Sequence, residues 1–457
     1  MIAKRILLLG IVLVFFTCSC KKNKIPVTPP TRDTTTKPGG GGTAPPPGQP
    51  NIIFILADDM GYEMPTFDGG ESYNTSHLDS LAANAMVFNQ CRGTPLCSPS
   101  RVELLSGVYN YRNYLQLGWG AYNRQYISYA KTLQNNGYKT CVVGKWQLDG
   151  GNTAIEDVGF DDYCVWDAST LSRVGYMYKD PTLYDPMGVL PMNVTIGKYS
   201  EDITSDYALS FIDQNKDKPF FIYYSFMLVH QPHQPTPLDA SFQSFDDRID
   251  DTTYIGSMTH YLDLKVGVLI NKLKADGLDK NTIIVFTGDN GSEVTYHSLY
   301  KGKMVAGEKG QTTEFGTHVP LFVYWPGYIT PGVNNNLIDF TDFAPTFLDM
   351  AKVKSRPPGD GVSFYPQLFG NNGNARNWTY CYFDPYPFLV PNVFTTTKPI
   401  SYAQDTEYKL YNLGNRKGLF YHFTTDLDER YPIKQPTPAE LVIKQKLQKA
   451  LSQEQLP

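Results

Sequence analysis

Asp58 and Asp59 close the apolar run "NIIFILADD", and Asp289 and Asn290 close a second run, "TIIVFTGDNG". Adjacent carboxylates that leave a buried strand are costly unless a cation or hydrogen-bond donors neutralise them. An oxygen-only donor set without histidine suits a hard ion, Ca²⁺ or Mg²⁺, better than zinc. Calcium accepts about six to eight oxygens, which leaves places for a nucleophile and a substrate oxygen. Taken singly, "ADD" also reads as a helix cap and "TGDNG" as a tight turn; together they point to a metal. A third stretch, "TPLCSPSRVELLSG", puts Cys97 in a turn just ahead of a short helix. Free amides and the helix dipole favour an anion there, and Arg101, one turn on, is placed to reach back to it. A bare Cys97 thiol would be a low-pKa nucleophile, yet no Cys-His-Asn protease pattern surrounds it.

The elements that must carry these groups alternate along the chain. "NIIFILADD", "KTCVVGKW", "KPFFIYYSFM", "NTIIVFTGDNG" and "HVPLFVYWPG" read as strands. "SHLDSLAANAMVF", capped by Ser76, reads as a helix, as do "ISYAKTLQNNGY", "TTYIGSMTHYLDLKVGVLINKLKADG" and "DFAPTFLDMAK". This order predicts an α/β fold, a doubly wound, mostly parallel sheet with helices on both faces. Ligands of such sheets bind beyond the carboxyl ends of the strands, where both carboxylate pairs fall. From about residue 372 the pattern becomes aromatic and polar alternation ending in the helical "TPAELVIKQKLQKALSQ". That predicts a small C-terminal α+β subdomain with an antiparallel sheet.

The Cys97 segment resembles the Cys-x-Pro-Ser-Arg motif of the formylglycine-dependent (type I) sulfatases of the alkaline phosphatase superfamily, matched by Cys97, Pro99, Ser100 and Arg101. The similarity continues in order through "NIIFILADDMGYE", "GYKTCVVGKWQLDG", "VHQPHQP", "TIIVFTGDNGS", "KGQTTEFGTHVP" and "DFTDFAPTFLDMA". It implies that a separate maturation enzyme oxidises Cys97 to formylglycine, whose hydrate is the nucleophile. Asp58, Asp59, Asp289, Asn290 and the converted Cys97 would hold one divalent metal, calcium in bacterial members, with magnesium the alternative. Arg101 and Lys145 would steady the formylglycine. His233 and Lys309 would bind sulfate and assist the leaving oxygen, with Lys301 and Lys303 near enough in sequence to compete for the lysine's place. The implied reaction is a two-step hydrolysis of a sulfate ester, in which the diol attacks sulfur and its second hydroxyl later expels sulfate. One position departs from the pattern: Gln147 stands where the family has histidine. Glutamine donates and accepts hydrogen bonds but has no accessible protonation switch. His230, the nearest spare imidazole, is expected to take part of that role.

The chain opens with Lys4 and Arg5, an apolar run from Ile6 to Phe16, and "FFTCSC". The run is too short to span a bilayer, which takes about 20 residues, and resembles a bacterial lipoprotein signal peptide with Cys20, after Ser19, as the lipidated residue. Residues 21–50, rich in Pro, Gly and Thr, read as a disordered tether. The expected organisation is therefore signal peptide 1–20, tether 21–50, catalytic domain 51–371 and C-terminal subdomain 372–457. The expected location is the cell envelope, in the periplasm or at the outer membrane, with membrane contact only through the lipid. A net charge of −5 gives no reason to invoke nucleic acid. Of the seven cysteines, Cys91, Cys141, Cys164 and Cys381 remain beside Cys97 and the two of the signal region, and an oxidising envelope allows one or two disulfides among them. The expected substrate is a sulfated carbohydrate or aryl sulfate ester. Two other readings stay open at this level: a phosphate or phosphonate ester hydrolase on the same fold, and a catalytically impaired glycan-binding lipoprotein, the latter motivated by Gln147. Asn290, where a zinc phosphatase would have histidine, speaks against the zinc form of the first.

Overall fold

Isoleucine and phenylalanine fill "NIIFILA", and every one of its residues is buried, as in a strand covered on both faces. In the computed structural model, which describes residues 48–113, 122–148, 150–166, 176–384 and 399–454, this run is β1 (Asn51–Ala57) at the middle of a ten-stranded sheet. The other strands are β2 (Met86–Phe88), β3 (Lys139–Lys145), β4 (Asp162–Trp166), β5 (Leu183–Asp185), β6 (Gly188–Val189), β7 (Phe220–Ser225), β8 (Thr282–Gly288), β9 (Leu321–Tyr324) and β10 (Gly332–Asn334). Their spatial order is β10-β2-β9-β8-β1-β7-β3-β4-β5-β6. The central strands β8, β1, β7, β3 and β4 are mutually parallel. Antiparallel β9 and β5 flank them, so the sheet is mixed at its edges.

Alternation along β1 divides the core in two. Ile52, Phe54 and Leu56 pack with side chains of α2 (Cys97–Ser106), α3 (Tyr129–Asn135) and α6 (Phe343–Met350). Ile53, Ile55 and Ala57 pack on the opposite face with α1 (Ser76–Ala82), α4 (Ser200–Asn215) and α5 (Ile255–Ala275). Helices thus cover both faces, as the alternating pattern predicts. Two details of α1 differ from expectation. The helix stops at Ala82, and "MVF" forms β2 because it pairs with both β9 and β10. Ser76 does not cap it; Asp263 of α5 accepts the free His77 and Leu78 amides at 2.9 and 2.8 Å.

The C-terminal part forms an antiparallel sheet of β11 (Thr379–Phe383), β12 (Ile400–Gln404), β13 (Tyr408–Tyr411) and β14 (Phe420–His422). The helix α7 (Pro438–Gln453) starts at a Thr437–Glu440 capping box and lays Leu447, Ala450 and Leu451 on this sheet. The expected signal peptide, Cys20 and residues 21–47 of the tether lie outside the described residues. Cys91, Cys97, Cys141, Cys164 and Cys381 are all buried free thiols, so the disulfides allowed by number are not formed among the described residues.

The loop that leaves β7 is held by Glu201 in the first turn of α4, whose Oε1 accepts the Met227 and Leu228 amides at 2.8 and 3.3 Å. Burial pushes the Glu201 carboxyl up to about 7. A folded pKa above the ordinary carboxyl value gives stability that is full below about pH 4.5 and is lost as pH rises through 7. The loss is about 3 kcal/mol at about 1.4 kcal/mol per pH unit. Glu201→Gln cannot ionise and is expected to remove this slope, seen as a stability difference from the parent that grows between pH 4.5 and 7 in urea titrations. In the core, the Phe54 ring lies 5.2 Å from Tyr223 and 5.1 Å from Phe347. Phe54→Ala is expected to cost about 3–5 kcal/mol, read as a lower urea midpoint.

Candidate active site

Register brings the strand ends level. Ala57 lies opposite Gly288, and both Leu56 and Gly144 lie opposite Ser225. The residues that follow, Asp58 and Asp59, Asp289 and Asn290, Lys145, and the loop after β7, therefore emerge along one edge. Gly144 has φ +93°, and a Cβ there would lie 1.8 Å from the Ser225 carbonyl oxygen, so only glycine lets β3 reach Lys145 beside β7.

Asp58, Asp59, Asp289 and Asn290 are fully buried, and Cys97, the fifth metal candidate, is 7% exposed. The Asp58 carboxylate pairs with the Lys145 ammonium and stands 3.6 Å from Arg101. Asp59 accepts from Lys309 Nζ at 2.5 Å and from Asn290 Nδ2 at 2.8 Å, while its own amide donates to Asp289 Oδ1 at 3.0 Å. Burial opposes the charge on Asp59, but the ammonium groups of Lys309 and Lys145 outweigh it and hold this carboxyl well below the usual range. For Asp289, burial and then Asp58 push the carboxyl up to about 7 against the pull of Arg101. Asp58 Oδ1 and Asn290 Oδ1 are buried without a hydrogen-bond partner among the described residues. Ligand atoms of Asp58, Asp59 and His230 lie within 4.8 Å of one another. Orphaned oxygens converging beside two more carboxyl groups fit a hard divalent cation. Asp58, Asp59 and Asp289, with Glu293 3.5 Å from Lys309, here face three cations, Arg101, Lys145 and Lys309. A divalent ion would leave the edge net positive, the sign that an anionic ester requires.

Cys97 is the first residue of α2, and its turn is closed by Ser100, whose Oγ lies 2.7 Å from Thr94 Oγ1 and accepts the Thr94 amide at 3.2 Å. The Cys97 turn is tied to the Lys309 turn by the Gly310 amide, which donates to the Pro95 carbonyl at 2.9 Å. Arg101 does not fold back onto its own turn, as the helical spacing suggests. It reaches across three strand ends instead, donating to the Lys145 carbonyl at 3.2 Å, to Ser225 Oγ, and to Asp289 Oδ2 at 2.9 Å. Lys309 is buried with Asp59, whereas Lys301 and Lys303 are exposed on a separate hairpin. The structure thus selects Lys309 among the three lysines.

Of the two histidines expected at the site, one faces the carboxylates and the other does not. The structure does not bring His233 to the strand ends: its Nδ1 meets Asp250 at 2.6 Å and its Nε2 meets the Tyr296 hydroxyl at 2.8 Å, which occupies both ring nitrogens. His230 is the one that faces the carboxylates, with Nε2 3.9 Å from Asp59. Its Nδ1 lies 2.5 Å from the Gln231 carbonyl oxygen, which accepts from it and so leaves the lone pair on Nε2. Burial, then Lys145 and Lys309, push this imidazole well below its usual pKa, so it is neutral. Gln147 follows Lys145 with φ +53°, and its Oε1 is buried without a hydrogen-bond partner among the described residues.

Several residues were not legible in the motifs. Ser225 holds Arg101 and is detectable only as the polar end of "FFIYYS". Tyr178, whose hydroxyl lies 2.8 Å from the Met227 carbonyl and 2.5 Å from that of His230, carries no sequence signal at all. Ser292 joins three site turns: its Oγ accepts the Gly61 amide at 3.1 Å and donates to Glu63, and its carbonyl accepts the Lys309 amide at 2.9 Å.

Comparison with known proteins agrees with this geometry. Residues 50–353 match the family model "Sulfatase", and residues 308–456 match that of the C-terminal region of N-sulphoglucosamine sulphohydrolase. Arylsulfatase A of Homo sapiens is 29% identical over 376 residues, covering 76% of this chain and 72% of that one. Among solved structures, Ps i-CgsB in complex with k-i-k-neocarrahexaose superposes with a TM-score of 0.73 at 22% identity, over 90% of this chain and 94% of that one. BT4656 in complex with its substrate D-glucosamine-2-N,6-O-disulfate superposes with a TM-score of 0.70 at 23% identity, over 89% and 97%. The chain belongs to the sulfatase family and is a hydrolase of sulfate esters.

Proposed function

We propose that this sulfatase removes sulfate from a sulfated carbohydrate through a formylglycine made from Cys97 and a single divalent cation, calcium before magnesium. The observation that carries this reading is the convergence of Asp58, Asp59, Asp289 and Asn290 with Arg101, Lys145, Lys309 and His230 along the edge that the Cys97 helix also meets. Asp58, Asp59, Asp289, Asn290 and the converted residue 97 would hold the cation, which when bound supplies a Lewis acid for the sulfate oxygens. The formylglycine hydrate supplies the nucleophilic oxygen.

The remaining work falls to the chain's own groups. Arg101 and Lys145 pair with Asp289 and Asp58 and hold these side chains in place at the strand ends. Lys309 stays protonated against its burial because Asp59 lies beside it, and its Nζ binds a sulfate oxygen. His230, with the lone pair of Nε2 facing the site, takes up the proton that the attacking diol hydroxyl releases and hands it on to the departing alcohol oxygen. This gives His230 the duty that the motif assigns to His233, which instead anchors the loop to Asp250 and Tyr296. Gln147 orients by hydrogen bonding without moving a proton.

Maturation by a formylglycine-generating enzyme, lipid attachment at Cys20, a tether over residues 21–50, a location in the cell envelope and a division between the two folded parts at residues 371 and 372 complete the proposal. BT4656, solved in complex with its substrate D-glucosamine-2-N,6-O-disulfate, is the structural neighbour that supports a sulfated sugar as substrate.

The protein purified from a host that carries the maturation enzyme is expected to hydrolyse a sulfate ester and to leave the matching phosphate ester largely intact; the reverse preference would overturn the reading. Mass spectrometry of the peptide around Cys97 is expected to show the aldehyde, and Cys97→Ala is expected to abolish turnover. His230→Ala is expected to lower kcat by about 10²–10⁴-fold, the range of general acid–base catalysis. His233→Ala is expected to act mainly through stability, so equal kcat losses in both variants at equal folded fraction would contradict the assignment.

A further inference from the structure

Lys409, in β13 of the C-terminal sheet, is completely buried, and its ammonium is directed at the turn that carries Lys309. Nζ donates to the Thr312 carbonyl oxygen at 2.6 Å and to Glu429 Oε1 at 2.7 Å. Tyr411, two residues along the same strand, places its hydroxyl 2.9 Å from Thr312 Oγ1 and 2.5 Å from Glu429 Oε2. Arg416 closes the network, donating to the Tyr411 hydroxyl at 2.7 Å and pairing with Glu429. The Tyr402 ring covers Lys409 at 4.5 Å. A buried lysine paired with a carboxylate adds little net stability compared with apolar packing. What the fold gains here is the fixed position of one backbone carbonyl.

That carbonyl lies three residues beyond Lys309, in the same turn, where Gly310 takes φ +82°. The turn is pinned from three directions. The Lys309 amide donates to Ser292 in the turn after β8 at 2.9 Å, and the Gly310 amide donates to Pro95 in the Cys97 turn at 2.9 Å. Lys409 supplies the third hold from the C-terminal sheet. We propose that Lys409, seconded by Tyr411, is a positioning residue through which the C-terminal sheet sets the place of the Lys309 ammonium in the sulfate site. This rests on the reading of Lys309 as a sulfate-binding group.

The inhibition constant of inorganic sulfate tests this, because it does not depend on the fraction of active enzyme. It is measured with matured, calcium-loaded, full-length protein turning over 4-nitrophenyl sulfate. Lys409→Met is expected to raise the sulfate inhibition constant about tenfold, the factor for losing one charge-assisted hydrogen bond, and to raise KM in parallel. Arg416 still pairs with Glu429 in that variant. Tyr411→Phe keeps Lys409 and is expected to raise the constant about threefold, which keeps the proposal open to test if Lys409→Met does not fold. A fall in kcat alone in both variants, with KM and the sulfate constant unchanged, would mean a merely structural role and would overturn the proposal. Lys309→Met is the reference: an unchanged sulfate constant there would overturn the sulfate-binding reading of Lys309, and the inference with it.

Discussion

A guanidinium sealed inside the protein organises this site. Arg101 is 1% exposed and donates to groups at the ends of β3, β7 and β8. Burial weakens the charged form of any base, yet Asp289 and Asp58 hold this one protonated. The planar fork of donors suits the task, since a lysine could not reach several acceptors at fixed angles. Because Arg101 sits one turn into α2, the same contact that closes the sheet edge also sets the N-terminus of α2, where Cys97 lies. The nucleophile position and the carboxylate positions are thereby locked to one another through one side chain.

Placing so many charges in a dry pocket is costly, and the arrangement of partners shows how the cost is offset. Each carboxylate has its own cation, Arg101 on Asp289, Lys145 on Asp58 and Lys309 on Asp59. The unpartnered oxygens of Asp58 and Asn290 mark what this pairing leaves unsatisfied. A divalent ion would satisfy them and give the edge a net positive charge, which suits an anion receptor. Preorganisation then comes from elements well outside the pocket. Glu201 and Tyr178 grip the loop that ends in His230, Ser292 ties the turns after β1 and β8 to Lys309, and the C-terminal sheet reaches the same lysine through Lys409.

The strands that build the edge were readable as apolar runs because their burial on both faces removes polar alternation, and the polar residues that end those runs were the site. Asp58, Asp59, Lys145, Asp289 and Asn290 are all of this kind. The antiparallel edges were harder to read. "MVF" is too short to break the helical spacing before it, and only pairing with β9 and β10 makes it a strand. The choice between His230 and His233 was beyond local reading for a related reason. Both lie in "VHQPHQP", which has no periodicity; Tyr178 holds the His230 backbone carbonyl, Asp250 and Tyr296 hold the His233 ring, and all three lie outside that stretch. Lys409 shows the same limit, since it reads as one more basic residue in a strand until Thr312 is beside it.

The need of this edge for a divalent cation is tested most directly by scanning calorimetry of EDTA-treated protein with calcium added back. Binding at about a hundred times the dissociation constant would stabilise the fold by about 2.7 kcal/mol. The thermal midpoint should rise with calcium and should not rise in Asp59→Asn, which loses a donor charge. A midpoint that stays unchanged at saturating calcium and magnesium in the parent protein would contradict a cation-dependent site.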